Sequence, residues 1–157
     1  MNFNIADFFK NTYIVSFVSA WLLAQIVKVF TGYFGESGNH FSFVKFFCGT
    51  GGMPSSHSAT VMSLLTTCVI KDGLASYNTA ASLLFAIIVM SDASGVRYEA
   101  GKQAKIINEL VAEIFSGRST DINKNLKTLV GHTPFQVFVG ALLGVAVGLF
   151  VCLVVMR

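Results

Sequence analysis

Four apolar stretches organise this chain. Residues 12–30 carry no charge before Lys28, and residues 134–156 carry none at all. Both stretches have about the ~20 residues that a helix needs to cross a bilayer. Residues 55–70 and 77–91 are shorter, and a few polar and small residues separate them. They predict two short helices, which either cross the membrane as a tight hairpin or re-enter it against the long helices.

The chain changes character between residues 92 and 133, where most of its charge lies. From about 97 to 116, small and branched apolar residues recur at helical spacing. This pattern predicts an amphipathic helix at the membrane interface or against the bundle, and the polar residues 117–119 and 121–125 predict a loop after it. The apolar positions are Ala100, Ala104, Ile107, Val111 and Ile114, and the charged ones are Lys102, Lys105, Glu109 and Glu113.

The composition indicates a membrane protein. Hydrophobic residues make up 54% of the 157 positions and charged residues 12%, with a mean hydropathy of +0.66. A soluble domain has about 25% charged residues, so this chain cannot cover a soluble surface. We therefore expect an all-α integral membrane helical bundle. It forms a single membrane domain over residues 1–157, with about four membrane segments and one amphipathic interfacial helix.

The remaining composition adds little chemistry. We expect no cleaved signal at the N-terminus, because Asp7 and the single Lys10 make a poor n-region and the apolar run after them is too long. The cysteines Cys48, Cys68 and Cys152 are widely spaced without a metal-ligand pattern, and we expect them to act as small hydrophobic residues. We expect no metal, no cofactor and no nucleic-acid partner.

The basic residues predict the orientation in the membrane. If all four apolar stretches cross, residues 30–54 and 92–133 share one side, and the positive-inside rule places that side in the cytoplasm of a plasma (inner) membrane. Residues 54–57, 92–97 and 131–132 then lie at this same face. It holds Lys28, Lys45, Arg97, Lys102, Lys105, Arg118, Lys124 and Lys127, whereas the opposite side holds Lys10, Lys71 and Arg157.

The run Gly51-Gly52-Met53-Pro54-Ser55-Ser56-His57-Ser58-Ala59 lies at the expected start of a helix. Serine is a preferred N-cap, and proline is tolerated at a helical first turn. The unpaired N–H groups and the helix dipole make such a start a site for anions, and a histidine there can move a proton near neutral pH. The run therefore favours phosphate chemistry and a capped membrane helix with an incidental histidine about equally.

Several other polar residues of this face complete a possible metal-free phosphoryl-transfer site. Such a site needs a nucleophile, a proton donor and positive charge around the phosphate oxygens. Two histidines can supply the first two roles, cations and serines can bind phosphate, and an aspartate can orient an imidazole. The candidates are Lys28, Ser55, Ser56, His57, Asp92, Arg97 and His132.

Each candidate also has a structural interpretation. Lys28 has the position of a lysine that extends to the membrane interface, and Arg97 could contact lipid headgroups or the surface. Asp92 could be an N-cap, and His132 could simply belong to a loop. In the last stretch, Gly140, Gly144 and Gly148 form a repeated small-x-x-x-small stripe, which is typical of close helix packing. A homo-oligomer contact through this face is a second interpretation.

Taken in order, these motifs resemble the divergent type 2 phosphatidic acid phosphatase family, also labelled acid phosphatase/vanadium-dependent haloperoxidase-related. The resemblance extends from about Gln25 to Gly144. It rests on Ala24-Gln25-x-x-Lys28, residues 51–59, Asp92-Ala93-Ser94-Gly95-Val96-Arg97, Ala100-Gly101-x-Gln103-Ala104, Asn108 and Gly131-His132-Thr133-Pro134.

The resemblance implies a lipid phosphate phosphatase. Classical members carry K-x6-R-P, P-S-G-H and S-R-x5-H-x3-D, with one histidine as nucleophile and another as general acid. Here Pro54-Ser55-Ser56-His57 matches the second signature with Ser56 in place of glycine, so His57 is the implied general acid. Phe34-Gly35 stands where Arg-Pro should follow Lys28, and thirty-four residues, not five, separate Arg97 from His132.

We therefore expect hydrolysis of a lipid phosphomonoester at the cytoplasmic face. His132 is the expected nucleophile and His57 the proton donor, while Asp92 would orient an imidazole. Phosphatidate, phosphatidylglycerophosphate and isoprenyl phosphates all fit such a site. A phosphate-lipid binding or transport protein without catalysis, and a purely structural membrane protein, remain as alternatives. The list of expected phosphate-binding residues is Lys28, Ser55, Ser56 and Arg97.

Overall fold

The computed structural model describes residues 5–35, 53–115 and 131–155, and every regular element in these ranges is helical. The expected all-α architecture is thus confirmed there. The predicted loop at 117–125 and Cys48 lie outside the described residues. The helices are α1 (Ile5–Lys10), α2 (Thr12–Gly35), α3 (Ser56–Asp72), α4 (Tyr77–Ser94), α5 (Val96–Phe115) and α6 (Pro134–Phe150), which a π-helical turn (Val151–Val155) extends.

Three of the described helical stretches are long and apolar enough to cross a membrane. They are Thr12–Thr31 in α2, Tyr77–Ala112 in α4 and α5, and Pro134–Val155 at the end of the chain. The second runs over 36 residues, but a break at Gly95 divides it into α4 and α5. The 17 residues of α3 span only ~26 Å as a helix, so α3 is the short fourth segment of the bundle.

Helix α3 is the centre of the bundle and contacts α2, α4 and α6. It runs antiparallel to α2, because Lys28 near the end of α2 meets Ser56 at its start, while Tyr13 near the start of α2 donates a hydrogen bond to Asp72 at its end. It runs parallel to α6, since Gly140 approaches Ser55 and the later Gly148 approaches Ser63.

The glycine stripe of α6 packs directly on the backbone of α3. Gly140, Gly144 and Gly148 are all buried. A Cβ atom at Gly140 or Gly144 would collide with the carbonyl oxygen of Ser55 or Ala59, and one at Gly148 would lie 2.8 Å from Thr66 Cβ. The predicted close helix packing is therefore found within a single chain, and an oligomer contact through the same stripe would have to displace α3.

Small residues also line the contact between α2 and α3. Ser16, Ala20 and Ala24 follow one another at four-residue spacing on α2, and none has exposed surface. Near the middle of the contact, Ser16 Oγ lies 2.6 Å from Ser63 Oγ, and Thr67 Oγ1 donates to Ser16 Oγ at 2.8 Å. These buried hydroxyls satisfy one another, as polar groups between membrane helices must.

The predicted amphipathic helix is present as α5. Of the described helices, it contacts α4 alone. Its apolar residues Leu110 and Ile114 are 52% and 73% exposed, and Lys102 pairs with Glu99 at 2.8 Å on its surface. Its placement at a membrane interface stays a prediction. Cys68 and Cys152 are buried free thiols, in line with their expected role as small hydrophobic residues.

Candidate functional site

Four separate segments bring the predicted residues to one end of the bundle. They are the last turns of α2, the first turn of α3, the junction of α4 with α5, and the residues before α6. The predicted residues meet there in three pairs: Lys28 with Ser56, His57 with His132, and Asp92 with Arg97. The shared face expected if all four apolar stretches cross is therefore a shared end of the folded bundle.

The start of α3 is capped by Ser55. Its Oγ accepts hydrogen bonds from the Ser58 backbone N–H at 3.4 Å and from Ser58 Oγ at 3.0 Å. Its own N–H donates to the carbonyl of Gln136 at 3.1 Å, which ties α3 to α6. Ser55 has no exposed surface, and its hydroxyl shapes the helix start. Its contact with a phosphate stays a prediction.

The neighbouring Ser56 faces Lys28. The Lys28 ammonium donates to Ser56 Oγ at 3.1 Å. One turn further along α2, Thr31 Oγ1 donates to the Met53 carbonyl at 2.8 Å, so α2 is also attached to the segment that enters α3. Sequence reasoning did not identify Thr31, because a threonine near the end of a membrane helix carries no distinctive signal. These contacts place the lysine charge directly beside the helix start.

The two histidines lie beside each other. Their ring centroids are 6.0 Å apart and the ring planes are tilted by 59°. His57 is exposed in the first turn of α3, whereas His132 is only 3% exposed. The backbone N–H of His132 donates to the Ala93 carbonyl at 2.9 Å, near the end of α4. One imidazole is thus accessible and the other is held beneath the surface.

Gly131 allows the chain to approach the junction of α4 and α5 closely. It has a φ of +95°, in the left-handed region that favours glycine. A Cβ atom there would lie 2.6 Å from the Arg97 carbonyl carbon and 2.8 Å from Tyr98 Cα. Both the conformation and the lack of space require glycine at position 131, so Gly131 has a structural role next to His132.

Thr133 begins α6 with a capping box. Its Oγ1 accepts from the Gln136 N–H at 3.3 Å, while the Gln136 side-chain oxygen accepts from the Thr133 N–H at 3.0 Å. Pro134 occupies the first helical turn, where its missing N–H is harmless. His132 is therefore more than an ordinary loop residue, because it directly precedes the capped start of α6. The spacing of Thr133 and Gln136 is a readable signal for this cap.

Asp92 and Arg97 form an ion pair across Gly95. Arg97 Nε donates to Asp92 Oδ2 at 2.5 Å, and the side chains are 47% and 40% exposed, respectively. Asp92 lies in the last turn of α4, so its interpretation as an N-cap is wrong. Among the described residues, the hydrogen-bond partner shown for this carboxylate is Arg97, and the expectation that Asp92 orients an imidazole stays a prediction.

Positive charge predominates around the accessible imidazole. Lys28 and Arg97 lie near enough to His57 for their charges to act on its ring, and Asp92 acts on it with the opposite sign. Two cations and one anion leave a net positive region beside two imidazoles and a helix start. Such a region attracts a phosphate group.

Comparison with known proteins identifies the relatives of this arrangement. The model of the Divergent PAP2 family matches residues 9–147. The chain belongs to this family. The chain is also similar to the uncharacterized membrane protein YuiD of Bacillus subtilis (strain 168), with 39% identity over 149 residues, which cover 88% of this chain and 92% of that protein. No solved structure matches.

Membership agrees with the resemblance seen in the motifs. The matched range contains every predicted site residue from Lys28 to His132. The family description relates the chain to PAP2 proteins, and the name of the relative describes a membrane protein. Together they establish the class of protein and not a reaction.

Proposed function

We propose that this protein hydrolyses a phosphomonoester of a membrane lipid through a phospho-histidine intermediate. The observation that carries the proposal is the pair of imidazoles at 6.0 Å, one exposed and one buried, beside Lys28 and Arg97 at one end of a membrane bundle. Membership in a phosphatase-related family supports it. By the positive-inside rule, this end faces the cytoplasm of the plasma (inner) membrane.

The first step is attack on phosphorus. The neutral His132 ring supplies the electron pair that forms the N–P bond, and the P–O bond to the lipid breaks. His57 gives its proton to the departing oxygen, so the lipid leaves as an alcohol. The exposed position of His57 suits contact with a leaving group, and the buried, backbone-anchored His132 suits a nucleophile that must stay fixed.

The second step returns the enzyme to its starting state. Neutral His57 accepts a proton from water, whose oxygen attacks the phospho-histidine and breaks the N–P bond. Inorganic phosphate leaves, and His57 is again protonated. Throughout, Lys28, Ser56 and Arg97 donate hydrogen bonds to the phosphate oxygens, and the start of α3 adds its dipole. The lipid class includes phosphatidate, phosphatidylglycerophosphate and isoprenyl phosphates.

The test is phosphate release by the purified full-length protein in detergent micelles. A panel of these lipid phosphates would be supplied with a chelator present, and His57→Ala and His132→Ala would be compared with the wild type. We expect release from at least one lipid and loss of release in both variants. Thermal unfolding of each variant would show that it is folded.

Each other outcome contradicts part of the proposal. No release from any lipid would exclude the phosphatase activity, and phosphate-lipid binding without turnover would identify a binding or transport protein. Release that survives both alanine substitutions would exclude the histidine mechanism. Release that requires a divalent metal would contradict metal-free catalysis.

A further inference from the structure

Asp92 forms an ion pair with Arg97, one of the two cations that the proposed site would use to bind phosphate. This ion pair joins the last turn of α4 to the first turn of α5 across Gly95. Arginine carries five N–H donors in a planar fork, and the carboxylate takes the Nε donor at 2.5 Å. A phosphate group that binds the same fork must share it with this carboxylate or replace it.

The backbone at this junction is held from the other side. The His132 N–H donates to the Ala93 carbonyl, and Gly131 lies against the backbone of Arg97 and Tyr98. The paired side chains, in contrast, are 47% and 40% exposed. An exchange of partners therefore requires side-chain rotation only, and the exposed surface makes both groups accessible to a ligand.

We propose that Asp92 and the phosphate of a ligand compete for Arg97, so that Asp92 is a positioning residue that controls phosphate affinity. The inference rests on the proposed function, because it requires a phosphate at this site. A carboxylate and a phosphate dianion repel each other, and both prefer the same planar donors of arginine. The carboxylate holds the guanidinium in place beside His57 and gives it up when phosphate binds.

The exchange also affects the proton donor. The charges of Asp92 and Arg97 both act on the His57 ring, with opposite signs. Once a phosphate neutralises Arg97, the nearby carboxylate stabilises the imidazolium form of His57. This is the form that a general acid must have before it gives up its proton. Phosphate binding thus prepares the acid for the first step.

A second ion pair on α5 supplies a matched control. Glu99 and Lys102 pair at 2.8 Å with side chains that are 59% and 53% exposed, and neither residue belongs to the proposed site. Glu99→Gln removes one negative charge from an exposed ion pair of α5, as Asp92→Asn does from the pair with Arg97. Both substitutions replace a carboxylate by the corresponding amide, and they differ in their distance from the proposed site.

The experiment is calorimetric titration of the full-length protein in maltoside micelles with inorganic phosphate, at mildly alkaline pH where phosphate is mainly a dianion. We expect Asp92→Asn to tighten phosphate binding by about twofold to fivefold, the factor that corresponds to an ion pair of this exposure. Glu99→Gln should leave the affinity unchanged. Arg97→Gln should weaken it, and in that background Asp92→Asn should tighten binding by a smaller factor, because only the repulsion between carboxylate and phosphate is then relieved.

Turnover gives a second readout that a merely structural role would not move. Asp92→Asn should lower KM and also lower kcat, because the substrate phosphate binds more tightly while the His57 imidazolium loses its nearby carboxylate. Unchanged or weaker phosphate binding by Asp92→Asn would overturn the competition while leaving the proposed function intact. A wild-type protein that binds no phosphate and releases none would overturn both together.

Discussion

Two adjacent serines at the start of α3 have different roles. Ser55 is fully buried, and its hydroxyl caps the helix, whereas the Ser56 hydroxyl accepts a hydrogen bond from Lys28. The P-S-G-H signature that residues 54–57 resemble has glycine at the position of Ser56, and here the Ser56 side chain accepts the hydrogen bond from Lys28. Lys28 is therefore positioned by a residue in which the chain departs from the classical signature.

At this scale, we predict that Lys28→Gln weakens phosphate binding. A hydrogen bond to a charged group contributes about 1.5–3 kcal/mol, which corresponds to a loss of affinity of about tenfold to a hundredfold. The measurement is titration of the purified variant with inorganic phosphate. Lys105→Gln is the control, because this lysine is 72% exposed on α5 and pairs with Glu109. Equal affinities of the two variants would exclude a direct role for Lys28.

The helices of the bundle are held together by small residues. On one side of α3 lie the three glycines of α6, and on the other lie Ser16, Ala20 and Ala24 of α2. Close approach lets backbone carbonyls and hydroxyls meet across the contacts, since lipid supplies no hydrophobic drive between helices. Lys28 continues the four-residue spacing of α2, so the same face that packs the helix also presents the cation.

At the scale of the elements, we predict that Gly144→Ala destabilises the protein. The added methyl would collide with the Ala59 carbonyl oxygen, a backbone atom that cannot turn away. Overpacking of this kind costs about 1–3 kcal/mol, even though alanine favours helices over glycine. Thermal unfolding in detergent measures the loss. Ala146→Val on the exposed side of the same helix is the control, and a loss as large in that variant would contradict the packing explanation.

The pattern of apolar residues was sufficient to predict α2 to α6 and their order, although it did not predict the short helix α1. The start of α2 and α6, and the break before the amphipathic helix, follow from local sequence, because composition and capping residues act over a few positions. The assumption that all four apolar stretches cross also predicted that residues of four distant segments lie at one face. These are properties that each segment carries by itself.

The contacts of individual side chains could not be predicted in the same way. The pairing of Asp92 with Arg97 depends on the bend at Gly95, and the burial of Ser55 depends on Gln136 and Gly140, some eighty residues away. Position 131 likewise requires glycine because the chain there approaches the backbone of α5. Such details arise when helices meet, and no local pattern encodes them.

The whole molecule has two chemically different ends. The end described as the candidate site contains Lys28, Arg97 and both paired histidines, while the opposite end contains the Tyr13–Asp72–Asn78 hydrogen-bond cluster. The antiparallel course of α2, α3 and α4, with α6 parallel to α3, separates these ends by the length of the bundle. The orientation of the protein in the membrane therefore decides which aqueous compartment meets the site.

At this scale, we predict that Thr31→Cys is labelled by a membrane-impermeant maleimide only after cells are permeabilised, because Thr31 is exposed at the basic end of the bundle. Tyr77→Cys at the opposite end, where the native side chain is 86% exposed, should be labelled in intact cells. The native cysteines would first be changed to alanine. The reverse labelling pattern would place the site outside the cytoplasm.

The position of α6 has a consequence for biosynthesis. His132 and the helix that carries the glycine stripe follow Lys28 and His57 in the chain, so they are synthesised later. A growing chain that has inserted α2 to α5 holds one imidazole of the pair and an uncovered face of α3. The protein therefore acquires its second imidazole and its tight packing in the same event, the insertion of α6.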